Sequence, residues 1–549
     1  MQTAHESALH TALQLLAEQT AHRLSYSGRT RALCVHPQRR GAMRRIAGLL
    51  VGFLAVIAIA IALYQLHHGA DGLRVQRTVV GATPVTIFRP GTDAPAPVIV
   101  IAHGFAGSQQ LMQPFAETLA RNGYIAVTFD FLGHGRNPHP MRGDITEGIA
   151  ITSALLNELT EVASAARQFP GCDGRLGVLG HSMASDIVIR FAQASPDVLA
   201  TVAVSVFSPV VTATSPRNLL VIVGALEPAM LRDEGLRIVN QAASDNAIAG
   251  ETYGVAADGT ARKLVLARGV EHIGVLYSHD SMVEALRWMN TTFSQPQDGP
   301  VDRRGRWLAL LFVGIVALAW PLSKMLPVVS AASVGANLGW KPLIVTAFVP
   351  SLITPLILWK MPTDFLTILL GDYLTLHFLI YGALTTAMLV YVRNRSATIE
   401  APINWRRLAV AATCVAAYNI VAFGLPLDTW VFAFIPIPSR LPLIAAIACG
   451  TLPYFIADEW ATRGGKARPA AYALTKICLL LSLGIAILLN PMKLFFLAII
   501  VPAILLLFVA FGLISRWSYA ATHHPLPGAI ANAAVFAWAI GVTFPMIVR

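Results

Sequence analysis

Ser182 stands in a pattern of residues that could turn its hydroxyl into a nucleophile. An apolar run from Leu176 to Leu179 leads into Gly180-His181-Ser182-Met183-Ala184, and a run typical of a helix follows. This order predicts a strand, a sharp turn and a helix, the nucleophile elbow written G-x-S-x-G. Ala184 replaces the second glycine, which weakens the match without breaking it; an ordinary strand-to-helix turn is the alternative interpretation. A serine hydroxyl is a poor nucleophile without an adjacent base, so we expect a histidine nearby.

Strands and helices alternate around this turn, over residues 73–293. The apolar run Pro97–Ala102 is continuous, as expected of a strand that is buried on both faces of a sheet. Strands alternating with helices predict a mainly parallel sheet and an α/β fold. The other predicted strands are Arg74–Val80, Pro84–Phe88, Tyr124–Phe129, Leu176–Leu179, Leu199–Val206, Leu219–Val223 and Lys263–Ala267, and the predicted helices are Ser108–Asn122, Ile145–Phe169, Ser185–Ala194, Met230–Ala243 and Met282–Phe293.

Two further motifs lie in this region and precede the elbow. His103-Gly104-Phe105-Ala106-Gly107 follows the third predicted strand, and Asp130-Phe131-Leu132-Gly133-His134-Gly135 follows the next. They resemble the His-Gly loop and the Asp-x-x-Gly-His-Gly turn of the α/β-hydrolase superfamily. The ending Val270–Val275, followed by Tyr277-Ser278, is similar to the dienelactone-hydrolase branch of that superfamily. The resemblance covers residues 73–293 and implies a serine esterase-like domain.

The resemblance implies a catalytic triad in the chain order serine, acid, histidine. Ser182 would attack an acyl carbon, and His272, just past the last predicted strand, would be its base. Glu227 follows an earlier strand and would orient the imidazole. The family more often uses aspartate as the acid. Asp233 is the alternative acid, and His279 is the alternative base.

The resemblance also implies an oxyanion hole, which would be made by the backbone N–H groups of Phe105 and Met183. His103, Asp130 and His134 are expected to brace turns and to have no chemical role. Many relatives insert a cap in the segment between Val206 and Leu219, but that segment is short here. We therefore expect an open cleft without a cap domain, covered by membrane helices or by lipid; the alternative is that Pro138–Ile145 serves as a lid.

The five cysteines and the other possible metal ligands give no sign of a cofactor. Only Cys172 lies in the α/β region, so no disulfide can form within it. The chain has no CxxC motif and no metal-ligand spacing. We therefore expect neither a cofactor nor a metal ion.

The composition indicates that much of the chain lies in lipid. Of the 549 residues, 55% are hydrophobic and only 13% are charged, whereas about a quarter are charged in soluble domains. The hydrophobicity is uneven, which predicts a soluble α/β-hydrolase domain at 70–300 and an all-α, polytopic membrane domain of about eight helices at 306–549. The apolar run Ile46–Leu63 is near the ~20 residues that span a bilayer and predicts an uncleaved anchor at 46–65, with a cleaved signal peptide as the alternative. Residues 1–45 would be a cytoplasmic segment, with Met43 as an alternative start.

Basic residues predict the orientation of the membrane spans. The net charge is +11, and lysines and arginines concentrate in alternate loops, which the positive-inside rule places in the cytoplasm. The α/β region and the end of the last span would then be outside. The predicted spans after the anchor are Trp307–Leu322, Pro342–Trp359, Tyr373–Val392, Leu408–Leu425, Leu441–Ile456, Ala473–Leu489, Leu494–Leu513 and Ala529–Val548.

Together these features predict a membrane-bound serine hydrolase that cleaves an ester or related acyl bond at the outer, periplasmic face of the cytoplasmic (inner) membrane. Its partners would be a small-molecule or lipid acyl substrate and membrane lipid, and not nucleic acid. One alternative is an acyltransferase, in which an alcohol replaces water. Another is a membrane transport or assembly protein whose hydrolase-like domain only binds. The sequence indicates no oligomeric state.

Overall fold

The computed structural model describes residues 37–143, 148–243, 246–296, 299–393 and 402–548. Contacts between residues group the chain into two compact units, Met1–Phe53 and Leu54–Arg549. The first unit is described only from the start of helix α1 (Pro37–His67). Residues 1–36, most of the predicted segment 1–45, lie outside the described residues. The sheet and the remaining helices belong to the second unit.

A mainly parallel sheet forms the first half of the second unit. The strands of this half are β1 (Arg74–Val80), β2 (Thr83–Arg89), β3 (Ala96–Ala102), β4 (Ile125–Phe129), β5 (Met141–Arg142), β6 (Cys172–His181), β7 (Val198–Val204), β8 (Leu219–Gly224), β9 (Thr252–Tyr253) and β10 (Arg262–Ala267). Nine of these ten, all but β5, form the sheet in the order β1-β2-β4-β3-β6-β7-β8-β10-β9. Its central strands run parallel, and β1 and β2 at one edge and β9 at the other are antiparallel to their neighbours.

Helices cover both faces of this sheet because its central strands are apolar on both faces. Alternate residues of β3 point to opposite sides. Val98 and Val100 pack in one cluster with α3 and α4, while Ile99 and Ile101 pack in another with α2 and α6. The predicted mainly parallel α/β fold is thus confirmed. These helices are α2 (Gln113–Arg121), α3 (Gly148–Arg167), α4 (Met183–Ala194), α5 (Ala229–Ala243) and α6 (His279–Phe293).

The helices of this region begin at different residues from those predicted from the sequence. In place of the predicted helix Ser108–Asn122, the chain forms a short 3-10 turn, Gln109–Met112, followed by α2. The helix α2 has a proline in its first turn. A proline is well placed there because the first N–H groups of a helix need no partner within it. The start of the prediction Ile145–Phe169 lies outside the described residues.

The second half of this unit, called the helical half below, consists in its described residues of helices, the segments that connect them and one short strand. Within the described residues, nine helices are long and apolar enough to cross a membrane, including Arg45–Ala70 of the predicted anchor. The helical half contains α7 (Arg304–Ser323), α8 (Trp340–Leu358), α9 (Gly371–Arg393), α10 (Trp405–Ala417), α11 (Phe423–Trp430), α12 (Leu441–Thr462), α13 (Ala471–Leu489), α14 (Pro491–Ile499), α15 (Val501–Thr522), α16 (Leu526–Thr543) and the strand β11 (Ile547–Val548). The division at 300–306 stays a prediction.

Three of the predicted spans differ from the helices that form, and one of them, Leu408–Leu425, is divided between α10 and α11. The prediction Leu494–Leu513 is divided between α14 and α15, each of which has a proline in its first turn. The prediction Ala529–Val548 ends early, at Thr543. Phe544 is extended and precedes Pro545, and a residue before proline is disfavoured in the helical conformation.

The strand β11 joins the two halves, and the sequence did not predict it. Ile547 and Val548 pair in parallel with Met141 and Arg142 of β5. Met546 extends the contact, since its N–H donates to the carbonyl oxygen of Gly133 at 2.8 Å. The loop after β4 is therefore held by residues that follow the last helix of the helical half.

Candidate active site

Ser182 occupies the sharp turn between β6 and α4. Its φ and ψ are 54° and −119°, a backbone conformation that residues other than glycine rarely adopt. This conformation lifts the hydroxyl out of the sheet edge. The turn is possible because its neighbours are small. A Cβ on Gly104 would lie 2.9 Å from Ser182 Cβ, and a Cβ on Gly180 would collide with the carbonyl oxygen of Ala184. The predicted strand, turn and helix are all present.

His272 follows β10 and reaches the serine. Its Nε2 lies 2.9 Å from Ser182 Oγ, and the ring is almost fully buried. His181 Nε2–H donates to the carbonyl oxygen of His272 at 3.0 Å, which fixes the loop that carries the ring. His181, immediately before Ser182, thus helps to position the residue that was predicted as the base. His279, the alternative base, is exposed at the start of α6.

Glu227 is the carboxylate that contacts His272. Its Oε2 lies 2.6 Å from His272 Nδ1, and its side chain is completely buried. Oε1 accepts from the hydroxyl of Ser205 at 2.8 Å and from the N–H of Gly224 at 2.7 Å. These donors fix the carboxylate, so Nδ1 carries the ring proton and Nε2 is free to accept the serine proton. Asp233, the alternative acid, is exposed on α5.

Sequence reasoning missed Ser205 and the structural role of His181. Ser205 has a φ of 55° and follows β7, at the same edge of the sheet as the other polar groups. The carboxyl ends of neighbouring parallel strands meet at one edge, so a serine directly after an apolar strand was a signal that could have been used.

The residues of the predicted oxyanion hole lie on both sides of the serine. Met183 is the first residue of α4, where an N–H has no partner within the helix. Phe105 follows Gly104, whose close approach to Ser182 brings the Phe105 peptide to the same corner of the site. Two N–H groups placed in this way could stabilise a negative oxygen that develops at the acyl carbon.

His103, Asp130 and His134 are buried next to this corner and bind backbone groups. The carboxylate of Asp130 accepts from the N–H groups of Gln109 at 2.8 Å and Arg136 at 3.0 Å. His103 Nε2 accepts from the N–H of Phe131 at 3.1 Å. His134 Nδ1 donates to the carbonyl oxygen of Leu132 at 2.9 Å. Each contact fixes a turn after β3 or β4.

Ser182 itself is partly exposed, and the described segment 205–218 forms no cap domain over it. Between β7 and β8 the described residues form neither a helix nor a strand. Within the part of the chain that the structure describes, His, Cys, Asp and Glu side chains form no group of three that could hold a metal ion. The arrangement is suited to nucleophilic attack on an acyl carbon, with the proton moving along the line from Ser182 to His272.

Three buried imidazoles should make the fold sensitive to acid. Burial lowers the pKa of His103, His134 and His181, so each stays neutral in the folded protein at a pH where it would be charged in the unfolded chain. Their contribution to stability is complete above about pH 6.5 and is lost as the pH falls below that value. Below that pH, each imidazole should lower the free energy of unfolding by up to about 1.4 kcal/mol per pH unit.

Thermal unfolding of the full-length protein in detergent between pH 7.5 and pH 5 checks this expectation. The unfolding midpoint should fall as the pH is lowered. His134→Asn should make this fall smaller, because one fewer imidazole takes up a proton on unfolding. Replacing the exposed His279 with Gln is the control and should leave the slope unchanged. A midpoint that is constant from pH 7.5 to pH 5 would contradict the expectation.

Comparison with known proteins identifies the class of the α/β region. Residues 93–241 match the sequence model of a family described as serine aminopeptidase, S33. The match contains Ser182 and Glu227 and ends before His272. It covers the elbow and most of the parallel sheet, so this region is a serine-hydrolase-like α/β-hydrolase domain.

Among the solved structures that resemble the chain are three from bacteria. A candidate dienelactone hydrolase from Klebsiella pneumoniae is 18% identical, with a TM-score of 0.31, and the alignment covers 41% of this chain and 100% of the other. A candidate lipase from Acinetobacter baumannii is 13% identical, with a TM-score of 0.31 and coverages of 42% and 96%. A hypothetical protein from Pseudomonas aeruginosa is 12% identical, with a TM-score of 0.28 and coverages of 38% and 89%.

Proposed function

We propose that the α/β-hydrolase domain cleaves an ester or a related acyl bond, with Ser182 as nucleophile, His272 as base and Glu227 as the group that orients the base. The observation that carries the proposal is the unbroken line of contacts at one edge of the sheet. It runs 2.9 Å from Ser182 Oγ to His272 Nε2 and 2.6 Å from His272 Nδ1 to Glu227 Oε2. Both distances are within hydrogen-bonding range.

The reaction proceeds in two halves. Ser182 Oγ attacks the acyl carbon as its proton passes to His272 Nε2, and Glu227 stabilises the charged imidazole. The N–H groups of Phe105 and Met183 bind the oxyanion. His272 then gives the proton to the leaving alcohol oxygen, and Ser182 remains acylated. Water, deprotonated by His272, attacks the acyl group, which releases the acid and restores the serine hydroxyl.

The same proposal places the domain at the outer face of the cytoplasmic membrane. Among the described residues, the nine helices that could cross a membrane begin with the anchor before the domain. Nine crossings, like one crossing, end on the side of the membrane opposite to the start of the chain. The residues after the last span are therefore on the same side as the α/β-hydrolase domain. The pairing of β11 with β5 fits this count, because it returns the chain to the domain after α16. The basic loop at Arg463, Lys466 and Arg468 then faces the cytoplasm.

Labelling with a fluorophosphonate probe tests the proposed nucleophile. The wild-type protein should be labelled, and Ser182→Ala should not be, because the probe bonds to an activated serine oxygen. The same substitution should reduce kcat on an ester by about 10⁴-fold or more. Ser164→Ala, on the exposed face of α3, is the matched control and should behave as the wild type. Equal labelling of the wild type and Ser182→Ala would exclude the proposal.

A further inference from the structure

The helical half contacts the α/β-hydrolase domain on one side of the candidate site. Several of its contacts fall on the loops that follow β3 and β4, and others fall on α2. Ser108 Oγ accepts from the N–H of Ala433 at 2.9 Å, and Arg136 pairs with Asp428 at 2.6 Å. Arg440 Nη2 donates to the carbonyl oxygen of Gly133 at 2.7 Å. In the sheet, β3 is the direct neighbour of β6, so the nucleophile after β6 lies one strand from this contact.

Aromatic side chains from the helical half lie at the predicted oxyanion corner. The ring of Phe496, on α14, stacks on the ring of Phe105 with centroids 4.1 Å apart and an angle of 23° between the planes. The ring of Phe544, which follows α16, has its centroid 6.4 Å from the centroid of the Phe105 ring. Met183, on the other side of Ser182, packs against the same apolar cluster as Phe105 and Phe496. We call Phe105, Phe496 and Phe544 the aromatic wall.

The helix α14 connects this wall with the lipid-facing surface. It has nine residues, so at about 14 Å it is too short to cross the ~30 Å hydrocarbon core of a bilayer. It lies between α13 and α15, which are both long enough. Leu494 and Leu497 are buried, whereas Met492 is 79% exposed and Phe495 is 41% exposed. The exposed face of α14 is thus apolar, as expected of a helix that lies in the membrane interface.

The opposite side of the candidate site also exposes apolar side chains. Phe207 follows β7, while Leu226 and Met230 flank Glu227, and all three are well exposed. Large apolar groups that surround a polar site are typical of a surface that meets lipid or an apolar ligand. Ser182 therefore lies between two apolar surfaces, and one of them is continuous with the outside of the helical half.

We propose that the substrate is a long-chain ester drawn from the bilayer, and that its acyl chain reaches Ser182 along α14 and lies against the aromatic wall. This inference rests on the proposed hydrolase function. The helical half then does more than anchor the enzyme, because Phe496 and Phe544 form part of the acyl-chain site. The chain stays in contact with apolar groups from the lipid to the ester carbon, which avoids exposing it to water.

The test uses the full-length protein reconstituted in phosphatidylcholine vesicles and two p-nitrophenyl esters. The acetate is added from the water, and the palmitate is mixed into the bilayer. Phe496→Ala should reduce kcat/KM for the palmitate by about 10- to 100-fold and change that for the acetate by less than about twofold, since only the long chain meets the wall. Phe348→Ala, which removes an exposed phenylalanine from α8, outside α14 and the aromatic wall, is the matched control and should leave both values unchanged.

A second variant separates the effect on the acyl chain from the packing that Phe496→Ala removes. Phe496→Trp enlarges the wall, so the preferred ester should become shorter. The inference is overturned if both Phe496 variants affect the two esters equally, or affect neither. Failure of the proposed hydrolase function gives a different result, because the wild type would then hydrolyse neither ester faster than Ser182→Ala.

Discussion

Replacing Glu227 with Gln should lower kcat/KM on an ester by about 10³- to 10⁴-fold while the protein stays folded. The reason lies in the donors around the carboxylate. Oε1 accepts from the hydroxyl of Ser205 and the N–H of Gly224. In the amide, the oxygen must face these donors, so the NH₂ group faces His272 Nδ1. Nδ1 then becomes an acceptor, and the proton moves to Nε2, where it prevents the ring from taking the proton of Ser182.

Steady-state kinetics and the thermal unfolding midpoint, measured on the same samples, check this result. Asp233→Asn removes an exposed carboxylate from α5, six residues along the chain, and is the control that should retain full activity. Ser205→Ala removes only one of the two donors to Oε1, so its loss should be smaller than that of Glu227→Gln. A Glu227→Gln variant that keeps more than a tenth of the wild-type kcat/KM would show that the carboxylate does not set the tautomer of the imidazole.

Replacing Arg440 with Met should destabilise the protein by about 3–5 kcal/mol. The guanidinium is fully buried and donates to three carbonyl oxygens. Nη1 bonds to Gly541 and Phe544, each at 2.8 Å, and Nη2 bonds to Gly133 at 2.7 Å. Methionine fills a similar volume but leaves these acceptors buried without donors, and each such acceptor costs free energy.

Thermal unfolding in detergent measures the effect, and the midpoint should fall by several degrees. Arg440→Lys keeps the charge and some of the donors but not the planar fork, so its midpoint should lie between those of the wild type and Arg440→Met. Arg406→Met, on an exposed part of α10, is the control for loss of a positive charge. If Arg440→Met unfolds at the wild-type temperature, neither the contact with Gly133 across the junction of the two halves nor the two contacts within the helical half stabilise the protein.

The α/β fold was predictable because its signals are local or periodic. Uninterrupted apolar runs such as Pro97–Ala102 predicted the buried strands, and small residues around Ser182 predicted the turn. The positions of Glu227 and His272 followed from the chain order of a resembling family, and their catalytic roles stay predictions. Ser205 and His181, which hold Glu227 and the His272 loop, had no pattern of their own that the sequence reading used.

The contacts between the two halves could not be predicted in the same way. The strands β5 and β11 have two residues each, too few to show the alternation that reveals a strand. The stacking of Phe496 on Phe105 joins residues that are far apart in the chain, and no local preference favours it. The break between α14 and α15 depends on a proline inside a long apolar run, where hydropathy alone predicts one continuous span.

The pairing of β5 with β11 also sets an order of events during biosynthesis. Met141 pairs with Ile547, so about 400 further residues must be translated before β5 finds its partner. At typical elongation rates that interval is roughly 20–80 s. For most of it, the ribosome-bound chain can close its central strands but still lacks Phe496 and Phe544, which are translated near the end. Under the proposal above, the nascent domain therefore forms before its route from the lipid exists.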